Sequence, residues 1–403
     1  MKTSKKYRGS ILPLAVIMVI LLAIVGVGML MLGQGTRIFA ARNVADISAR
    51  LAADAGITKA MHAMNDKLLG HLNNGTAWSN SSLPSVTDEA MANAYSKFTF
   101  RVDPCGTTMG AGFVATSNGT SSNRQRNVYA TIGPESRWEG ILVDDKIWLG
   151  TKSVFDLWPA GSEGDIVLRT NSTDSNPAAI KINSDVQFLS DVDVIIGPGG
   201  TDEAIFDKDA VISNSYAAID TVSLSPWEAP GSPTVRSDSS TLAADVAAGG
   251  YYEYPSISLD GELTIDKPVK IYVKGNVELK SGSSLIIDNI GNNGNLVLYL
   301  GGDFVAKVNS KIDNKNKVAL DLRLLGTVDC SKIQLDNSFD FCGVIDAPKA
   351  DIVVMNSGDV YGAFVGKSFD LKNGGTFYYD TRVYDPNTLG YNISFVVKYW
   401  SED

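Results

Sequence analysis

An uncharged apolar run over residues 11–32 is the feature that most limits what this chain can fold into. As an α-helix the run would be about 33 Å long, which is close to the thickness of the hydrocarbon core of a bilayer. A cleavable secretory signal usually has an apolar core of only about 7 to 15 residues, followed by a small-residue cleavage site. The run therefore predicts a membrane-spanning helix that the mature protein keeps.

Basic residues precede this run at Lys2, Lys5, Lys6 and Arg8. Lysine and arginine next to a spanning helix tend to stay on the cytoplasmic side of the membrane. The sequence therefore predicts a single-pass protein with its N-terminus in the cytoplasm and its C-terminal part in the periplasm or outside the cell.

A second helical segment follows over residues 37–69, which contain no proline. Its apolar residues recur at helical spacing, so the membrane helix is expected to continue as a long amphipathic helix. These residues are Val44, Ile47, Leu51 and Ala55, and then Ile57, Met61, Met64 and Leu68. The stripe over residues 44–68 is expected to pack on the chain's own globular domain, while other copies would contact the same helix closer to the membrane.

The N-terminal region as a whole combines a short basic leader ending in Gly9, the small residue Ser10, the apolar run and an "AADAG" box in the amphipathic helix. This combination resembles type IV pilin-class precursors, in particular the PilX-like minor pilins. The resemblance implies that a prepilin peptidase cuts after Gly9 and that Ser10 becomes the new N-terminus. It also implies that the apolar helix lies in the inner membrane and assembles with other pilin subunits.

One position departs from the pattern of that class. Most major pilins carry glutamate at the fifth mature position, which is Leu14 when counted from Ser10. A carboxylate there would be costly in lipid unless it were paired, for example with the terminal amine of a neighbouring subunit. Leu14 removes that partner, so the resemblance points to a minor, tip-located subunit.

Composition limits the function classes. The 403 residues have room for two or three domains, and the formal net charge of −10 argues against nucleic acid as a partner. The three cysteines, Cys105, Cys330 and Cys342, are too few for a disulfide framework in an exported chain of this length. Two readings of Cys330 and Cys342 are open: a bridge, or two buried small apolar residues.

The polar stretch "GHLNNGTAWSNSSLPS" marks a boundary after the helix. Beyond it, "KFTFRV" and "RNVYATI" predict the strands of a hairpin around the loop "ATSNGTSSNRQRN". Short β-rich pieces then follow, as expected for the first coils of a solenoid. The proline-rich segment "SPWEAPGSPTVRSD" predicts a crossing or linker.

The C-terminal part shows a loose periodicity, in which five segments align on one corner position at intervals of roughly 19 to 27 residues. The corner residues are Gly275, Gly302, Gly326, Ala347 and Gly366. Such spacing favours the rungs of a parallel β-helix over the alternative, a β-sandwich. The phrase "GVIDAPKADIVV" also resembles the β-helical domain of PilX-like proteins. The C-terminal "YNISFVVKYWSED" is expected to be a final strand or cap over an exposed edge.

The residues available for catalysis are few. The only histidines, His62 and His71, lie in or beside the amphipathic helix, so we expect no histidine-based catalytic or metal site on the β domain. The carboxylates that a carbohydrate-active β-helix enzyme would use are Asp340, Asp346, Asp351 and Asp359. Aspartates that form turns are much commoner. The "GPGG" at residues 197–200 lacks the lysine and the serine or threonine of a phosphate-binding loop.

Together these observations predict an α+β chain in six parts. They are a leader over 1–9, a transmembrane helix over 10–36, an amphipathic helix over 37–72, a pilin-like β region over 73–135, an irregular β region over 136–235, and a β-helix domain with a C-terminal cap over 236–403. The expected function is that of a minor subunit or assembly factor of a type IV pilus or related secretion filament.

Such a subunit would display its solenoid for adhesion to a surface or polysaccharide ligand, or for capping. No catalytic residue, cofactor or metal is predicted. Two alternatives remain at this point: a membrane-anchored carbohydrate-active enzyme, and a β-helical surface scaffold that polymerises end to end.

Overall fold

The computed structural model describes residues 12–74, 79–80, 82–92, 95–105, 112–136, 138–207, 211–218, 224–336, 340–355, 358–372, 374–384 and 393–402. The chain divides into two compact units. One contains residues 1–135 and 394–403, and the other contains residues 136–393.

A single helix, α1, runs through the first unit from Leu12 to Asn74 over 63 residues. Pro13 lies in its first turn, where the missing N–H is tolerated, and no other proline interrupts it. The prediction that the apolar run continues as one long helix is confirmed. Helix α1 includes a segment that is long and apolar enough to cross a membrane.

A five-stranded sheet packs on α1, mainly through its second and third strands. Its strands, numbered in chain order with those of the second unit, are β1 (Ser85–Ala90), β2 (Ser96–Pro104), β3 (Phe113–Ser121), β4 (Arg124–Ser136) and β29 (Ile393–Glu402). They lie in the order β1-β2-β3-β4-β29, and the first four pair antiparallel.

The hairpin of this sheet differs from the predicted one. The stretch expected to be a loop forms most of β3 and the start of β4, joined by a turn at Ser122 and Asn123, and "KFTFRV" belongs to the preceding strand β2. Small polar residues usually indicate loops. Here they alternate as a strand does, and the buried positions Ser117 and Gly119 face the helix at close range.

The second unit is built mainly of strands that pair in parallel. They are β5 (Gly140–Val143), β6 (Ile147–Leu149), β7 (Val154–Trp158), β8 (Ile166–Thr170), β9 (Ile180–Ile182), β10 (Gln187–Phe188), β11 (Val192–Ile196), β12 (Ile205–Asp207), β13 (Asn214–Ala217), β14 (Thr234–Val235), β15 (Gly250–Tyr254), β16 (Ile257–Leu259), β17 (Glu262–Ile265), β18 (Pro268–Val273), β19 (Val277–Leu279), β20 (Ser284–Ile287), β21 (Asn295–Leu300), β22 (Phe304–Ala306), β23 (Lys311–Asn314), β24 (Leu322–Gly326), β25 (Lys332–Leu335), β26 (Phe341–Val354), β27 (Asp359–Leu371) and β28 (Thr376–Asp380).

Among its described residues the second unit also contains three short 3-10 helices and one α-helix. The 3-10 helices are Asp202–Ala204, Ala319–Asp321 and Thr381–Tyr384. Helix α2 runs from Leu242 to Ala248 and packs on β15 and β17, with Leu242 and Val246 buried. Because these two side chains are apolar, α2 contributes to the core at the end of the solenoid where β15 lies.

A ladder of inward-pointing residues shows that the strands form a solenoid with a continuous core. On one face the paired residues are, in spatial order, Tyr252, Ile271, Leu298, Leu324, Ile345, Phe364, Ile141, Leu168 and Val194. Each of them is at least nine-tenths buried. Parallel pairing with one in-facing residue per rung is the pattern of a β-helix, so the predicted solenoid is confirmed and the sandwich alternative is wrong.

The rungs are not stacked in chain order. The strands of one face follow each other in space as β14, β15, β18, β21, β24, β26, β27, β5, β8, β11 and β13. The chain therefore enters the solenoid in its middle, at β5, and the rungs from β5 to β13 extend from there to one end. The chain then passes to the opposite end, at β14, and the rungs from β14 to β27 fill the space back to β5. Residues 224–233 of the returning segment contact the solenoid, where the Trp227 backbone N–H donates to the Gly326 carbonyl (3.0 Å) and the Tyr251 hydroxyl donates to the Pro230 carbonyl (2.7 Å).

The predicted corner residues form two lines instead of one. A Cβ atom on Gly302 would lie 2.6 Å from the carbonyl carbon of Gly275, so these two stack. Gly326, however, is paired with Leu300, two residues before Gly302 along the chain. The turn that follows Gly326 is longer than the turn that follows Leu300, and this length difference displaces the corner.

The C-terminal strand does not cap the solenoid. Strand β29 lies beside β4 in the first unit, so the prediction that residues 236–403 form one domain with a C-terminal cap is wrong. The ring of Phe395 packs edge-on against that of Phe113 at 5.3 Å. The Asn65 side chain accepts a hydrogen bond from the Phe395 N–H (2.6 Å) and donates one to its carbonyl (3.2 Å). These contacts hold β29 against α1 and β3 of the first unit.

Cys330 and Cys342 are both free and buried, so they are not bridged. A Cβ atom on Gly326 would lie 3.3 Å from the Cys330 Cβ and 2.5 Å from the Ala347 Cβ, which places Cys330 beside Ala347. Cys342 precedes Ala347 by five residues on the same extended strand, roughly 16 Å away. A disulfide needs Cα atoms within about 7 Å, so the two cysteines serve as small core residues instead.

Candidate functional site

The apolar first part of α1, which is long enough to cross a membrane, presents apolar side chains to its surroundings on every side. From Val16 to Leu32 all large apolar side chains are at least half exposed within the described residues. A Cβ atom added at Gly26, Gly28, Gly33 or Gly35 would meet nothing within 4 Å. This part of the helix is therefore available to lipid or to other helices.

The following part of α1 has two apolar faces. The face that packs on the sheet consists of Ala49, Ala52, Ala53, Ile57, Ala60, Met64 and Leu68. Three larger residues point away from it: Val44, Ile47 and Leu51 are 65%, 59% and 56% exposed. We call these three residues the outer stripe. The expectation that the whole predicted stripe packs on the chain's own domain is thus wrong for these three and right for Ile57, Met64 and Leu68.

Small residues decide which face is buried. A Cβ atom on Gly119 would lie 1.9 Å from the Ala49 carbonyl oxygen, and one on Gly56 would lie 2.0 Å from the Ser117 Oγ. The backbones of α1 and β3 approach so closely that alanine, glycine and serine are the residues that fit. The "AADAG" box is therefore the part of the packing surface where the two backbones come closest, and larger residues such as Ile57 and Leu68 pack further along the same face.

Ion pairs flank this contact and fix the helix on the sheet. Arg126 donates two hydrogen bonds to the Asp46 carboxylate, at 2.9 Å and 2.7 Å. These bonds lower the pKa of Asp46. Arg50 pairs with Glu402 of β29 at 3.0 Å, and further along the helix Lys59 pairs with Glu89 of β1.

The predicted assembly and processing residues are only partly within the described structure. Gly9 and Ser10 lie outside the described residues. Leu14 belongs to the first turns of α1. His71 is also part of α1, and His62 is an exposed side chain whose Nδ1 lies 2.8 Å from Asp66, one turn along the helix. His62 is thus engaged in a surface pair of the helix.

Two of the four candidate carboxylates of the enzyme alternative flank one tyrosine. The Lys317 Nζ lies 3.4 Å from Asp340 and donates a hydrogen bond to the Tyr361 hydroxyl at 2.9 Å. The Tyr361 hydroxyl lies 3.5 Å from Asp359. Lys317 therefore offsets the charge of Asp340, and Asp359 is linked to the same group through the Tyr361 hydroxyl.

The other two carboxylates lie elsewhere. Asp346 is fully buried and accepts a hydrogen bond from the Trp138 indole N–H at 2.7 Å. Asp351 accepts one from the Ser368 hydroxyl at 2.7 Å and lies 3.7 Å from Lys367. The four aspartates thus occupy three different surroundings. Among the described residues no group of His, Cys, Asp and Glu side chains is arranged to hold a metal ion.

The solenoid also carries an aromatic cluster that the sequence did not predict. Tyr361 and Tyr378 stack with their ring centres 4.6 Å apart, Trp158 meets Tyr361 edge-on at 5.1 Å, and the Lys317 Nζ lies 4.2 Å from the centre of the Tyr361 ring. Trp158 is separated from the tyrosines by about 200 residues of sequence. No local pattern predicts the cluster, since it depends on β7 stacking beside β28.

Comparison with known proteins adds a family and a distant structure. A family described as "Domain of unknown function (DUF7305)" matches residues 210–385, which in the structure run from β13 through the last 3-10 helix. No curated protein matches the chain. The crystal structure of the competence-associated pilin ComZ from Thermus thermophilus aligns with 89% of this chain and 97% of that chain, at 11% identity and a TM-score of 0.21. A TM-score this low does not establish a shared fold.

Proposed function

We propose that this protein is a pilin-like, membrane-anchored subunit that assembles through α1 into a type IV pilus or related secretion filament. The observation that carries the proposal is the division of α1. Its first part is apolar and exposed on every side, and its later part is attached to a compact head. A cleaved signal would leave no such continuous helix, and a plain anchor would need no apolar surface beyond the bilayer.

The outer stripe supports assembly over simple anchoring. Val44 lies twelve residues beyond Leu32, about 18 Å further along the helix and therefore outside the hydrocarbon core. Exposed apolar patches outside the membrane mark protein contacts. We propose that helices of neighbouring subunits pack on Val44, Ile47 and Leu51.

The finer parts of the proposal rest on the leader and on Leu14. A prepilin peptidase would cut between Gly9 and Ser10, with the N-terminus in the cytoplasm and the head and solenoid outside it. Because Leu14 offers no carboxylate to a neighbouring terminal amine, the subunit would enter a filament first and remain at its tip as a minor pilin of the PilX-like kind. The solenoid would then face the exterior for adhesion or capping, with the aromatic cluster as a candidate contact for a polysaccharide.

Two experiments test this. Co-expression with a prepilin peptidase should yield a mature chain that begins at Ser10, and a bulky residue in place of Gly9 should prevent the cut. An uncut chain in both cases would leave only the anchor.

The second experiment replaces Val44, Ile47 and Leu51 together by aspartate and measures how much of the protein co-purifies with filaments. We expect at least a tenfold loss, since three exposed apolar contacts become charged. Thr58→Asp, which introduces a charge on an exposed position of the same helix beyond the outer stripe, is the control and should have little effect. Equal co-purification of all variants would contradict assembly through this surface.

A further inference from the structure

A hollow of about 640 Å³ lies between α1 and the turn that joins β3 to β4. Its lining consists of Ile38, Ala41, Arg42 and Ala45 from the helix and Ser122, Asn123 and Arg124 from the turn. This volume is in the range of small-molecule sites. The hollow lies at the end of the sheet where α1 continues toward its apolar run.

Two arginines give this hollow its charge. Arg42 and Arg124 are both exposed, and the guanidinium group of neither forms an ion pair or a hydrogen bond with a residue that the structure describes, although the charge of Arg124 helps to lower the pKa of Asp46. The nearest carboxylate along the helix, Asp46, already accepts two hydrogen bonds from Arg126. The hydrogen-bond donors of the Arg42 and Arg124 guanidinium groups are therefore available to an anion from outside the chain.

The distance between the hollow and the apolar run, measured along the helix axis, indicates which class of anion can reach the hollow. Arg42 lies ten residues beyond Leu32, about 15 Å along the helix axis. Side chains of a helix lean toward its N-terminus, so the long Arg42 side chain points back toward the apolar run. The headgroup layer of a bilayer extends roughly 5 to 8 Å beyond the hydrocarbon core. The Arg42 guanidinium can thus reach the outer side of the headgroups.

We infer that this hollow binds the phosphate of an anionic phospholipid in the membrane that α1 spans. The inference rests on the proposed membrane anchoring. Guanidinium groups match phosphate oxygens in a two-point geometry, and the Ser122 hydroxyl and Asn123 amide offer further donors. The apolar side of the hollow, with Ile38, accommodates the less polar part of the lipid. Such a contact holds the head at a fixed height and orientation over the bilayer.

The test uses the full chain in a neutral detergent and counts bound lipid by native mass spectrometry. The probes are dihexanoyl phosphatidylglycerol, dihexanoyl phosphatidylcholine and inorganic phosphate. The variant is Arg42→Gln with Arg124→Gln. The matched control is Lys97→Gln with Arg101→Gln, which removes two positive charges from exposed positions of β2 that do not line the hollow.

We expect the wild type and the control to bind phosphatidylglycerol with equal affinity and clearly more tightly than phosphatidylcholine. Loss of each arginine in the hollow should weaken binding about fivefold. Unchanged binding by the Arg42/Arg124 variant, or equal binding of both lipids, would overturn the inference. Competition by inorganic phosphate at the same concentration as the lipid would show a free-anion site and overturn the lipid assignment.

Membrane anchoring is tested separately by washing membranes with alkaline carbonate. Release of the full chain would refute the proposed function itself. A chain that stays in the membrane but has no preference for phosphatidylglycerol overturns only the lipid site.

Discussion

Gly119 of β3 lies against Ala49 of α1 so closely that a Cβ atom on Gly119 would be 1.9 Å from the Ala49 carbonyl oxygen. Backbone atoms cannot rotate out of the way as the end of a side chain can. The position of the helix on the sheet therefore depends on the absence of one methyl group. The same contact determines which face of α1 remains exposed as the outer stripe.

Gly119→Ala should destabilise the first unit by about 3 kcal/mol, because the helix must move away from the sheet to admit the methyl group. The comparison is Gly35→Ala, whose new methyl group meets nothing within 4 Å. This change should stabilise the helix by about 0.5 to 1 kcal/mol through helix propensity. Hydrogen exchange over β2 and β3 measures the first effect and should be unchanged in Gly35→Ala, while exchange over the helix around Gly35 measures the second. Equal protection in the two variants would contradict the packing described here.

The three thiols should differ in reactivity. Burial raises the pKa of Cys330 to about 12 and raises that of Cys342 as well, whereas Cys105 is exposed. The thiolate is the reactive form, so a maleimide at pH 7.5 should label one thiol in the folded chain and three in denaturant without reductant. Only one thiol accessible in denaturant would mean that Cys330 and Cys342 are bridged after all.

Asp245 of α2 should make the solenoid sensitive to acid. Its carboxylate accepts hydrogen bonds from Arg236 (2.7 Å), Tyr254 (2.5 Å) and Thr241 (2.9 Å). Those from Arg236 contribute most to lowering the pKa of Asp245 from 3.8 to about 2, while burial acts in the opposite direction. Because the pKa is lower in the folded chain than in the unfolded one, the stabilisation is complete above about pH 4 and lost as the pH falls toward 2.

Asp245→Asn should therefore cost roughly 2 kcal/mol in the free energy of unfolding at pH 7, the value of hydrogen bonds to a charged group. Urea unfolding of both proteins at pH 7 and at pH 2.5 provides the measurement. The difference between them should shrink in acid. A difference that does not change with pH would show that the Asp245 charge contributes nothing.

Leu14→Glu tests the proposed place in the filament. In a subunit that enters first there is no earlier terminal amine to pair with a carboxylate, so the glutamate should give little gain in filament number or function. Filaments are counted by electron microscopy, and gold labelling locates the protein. Dense labelling along the whole shaft, or absence from purified filaments, would contradict the tip position.

Local patterns were sufficient for much of the fold. The uncharged run and the proline-free segment after it predicted one helix, since helix formation depends on neighbouring residues and α1 runs from Leu12 to Asn74. The recurring glycine corners predicted a parallel solenoid, because each rung needs a similar tight turn between two short strands. The cut between Gly9 and Ser10 and the role of Leu14 remain predictions.

Tertiary structure decided everything that depends on which surfaces meet. "ATSNGTSSNRQRN" is polar and small like a loop, and only the close approach of α1 makes Gly119 and Ser117 suitable for a buried strand. The outer stripe and the buried face of α1 are both apolar at helical spacing, so periodicity cannot tell them apart. The structure can, because the alanines and the glycine opposite β3 allow a backbone contact that a leucine at the same positions would prevent.

The sequence also did not predict the order in which the rungs of the solenoid stack. Strands β5 and β7 pair with β27 and β28, which are the last solenoid strands along the chain. Strand β29, which follows them, belongs to the sheet of the first unit. The sequence determined that there would be a long apolar helix, because helix formation depends on neighbouring residues, and a stack of parallel rungs, because each rung repeats a similar pattern of short strand and turn. Only the tertiary structure decided the order of the rungs and the face of the helix left free, because in parallel pairing any rung of similar shape can accept any other as its neighbour.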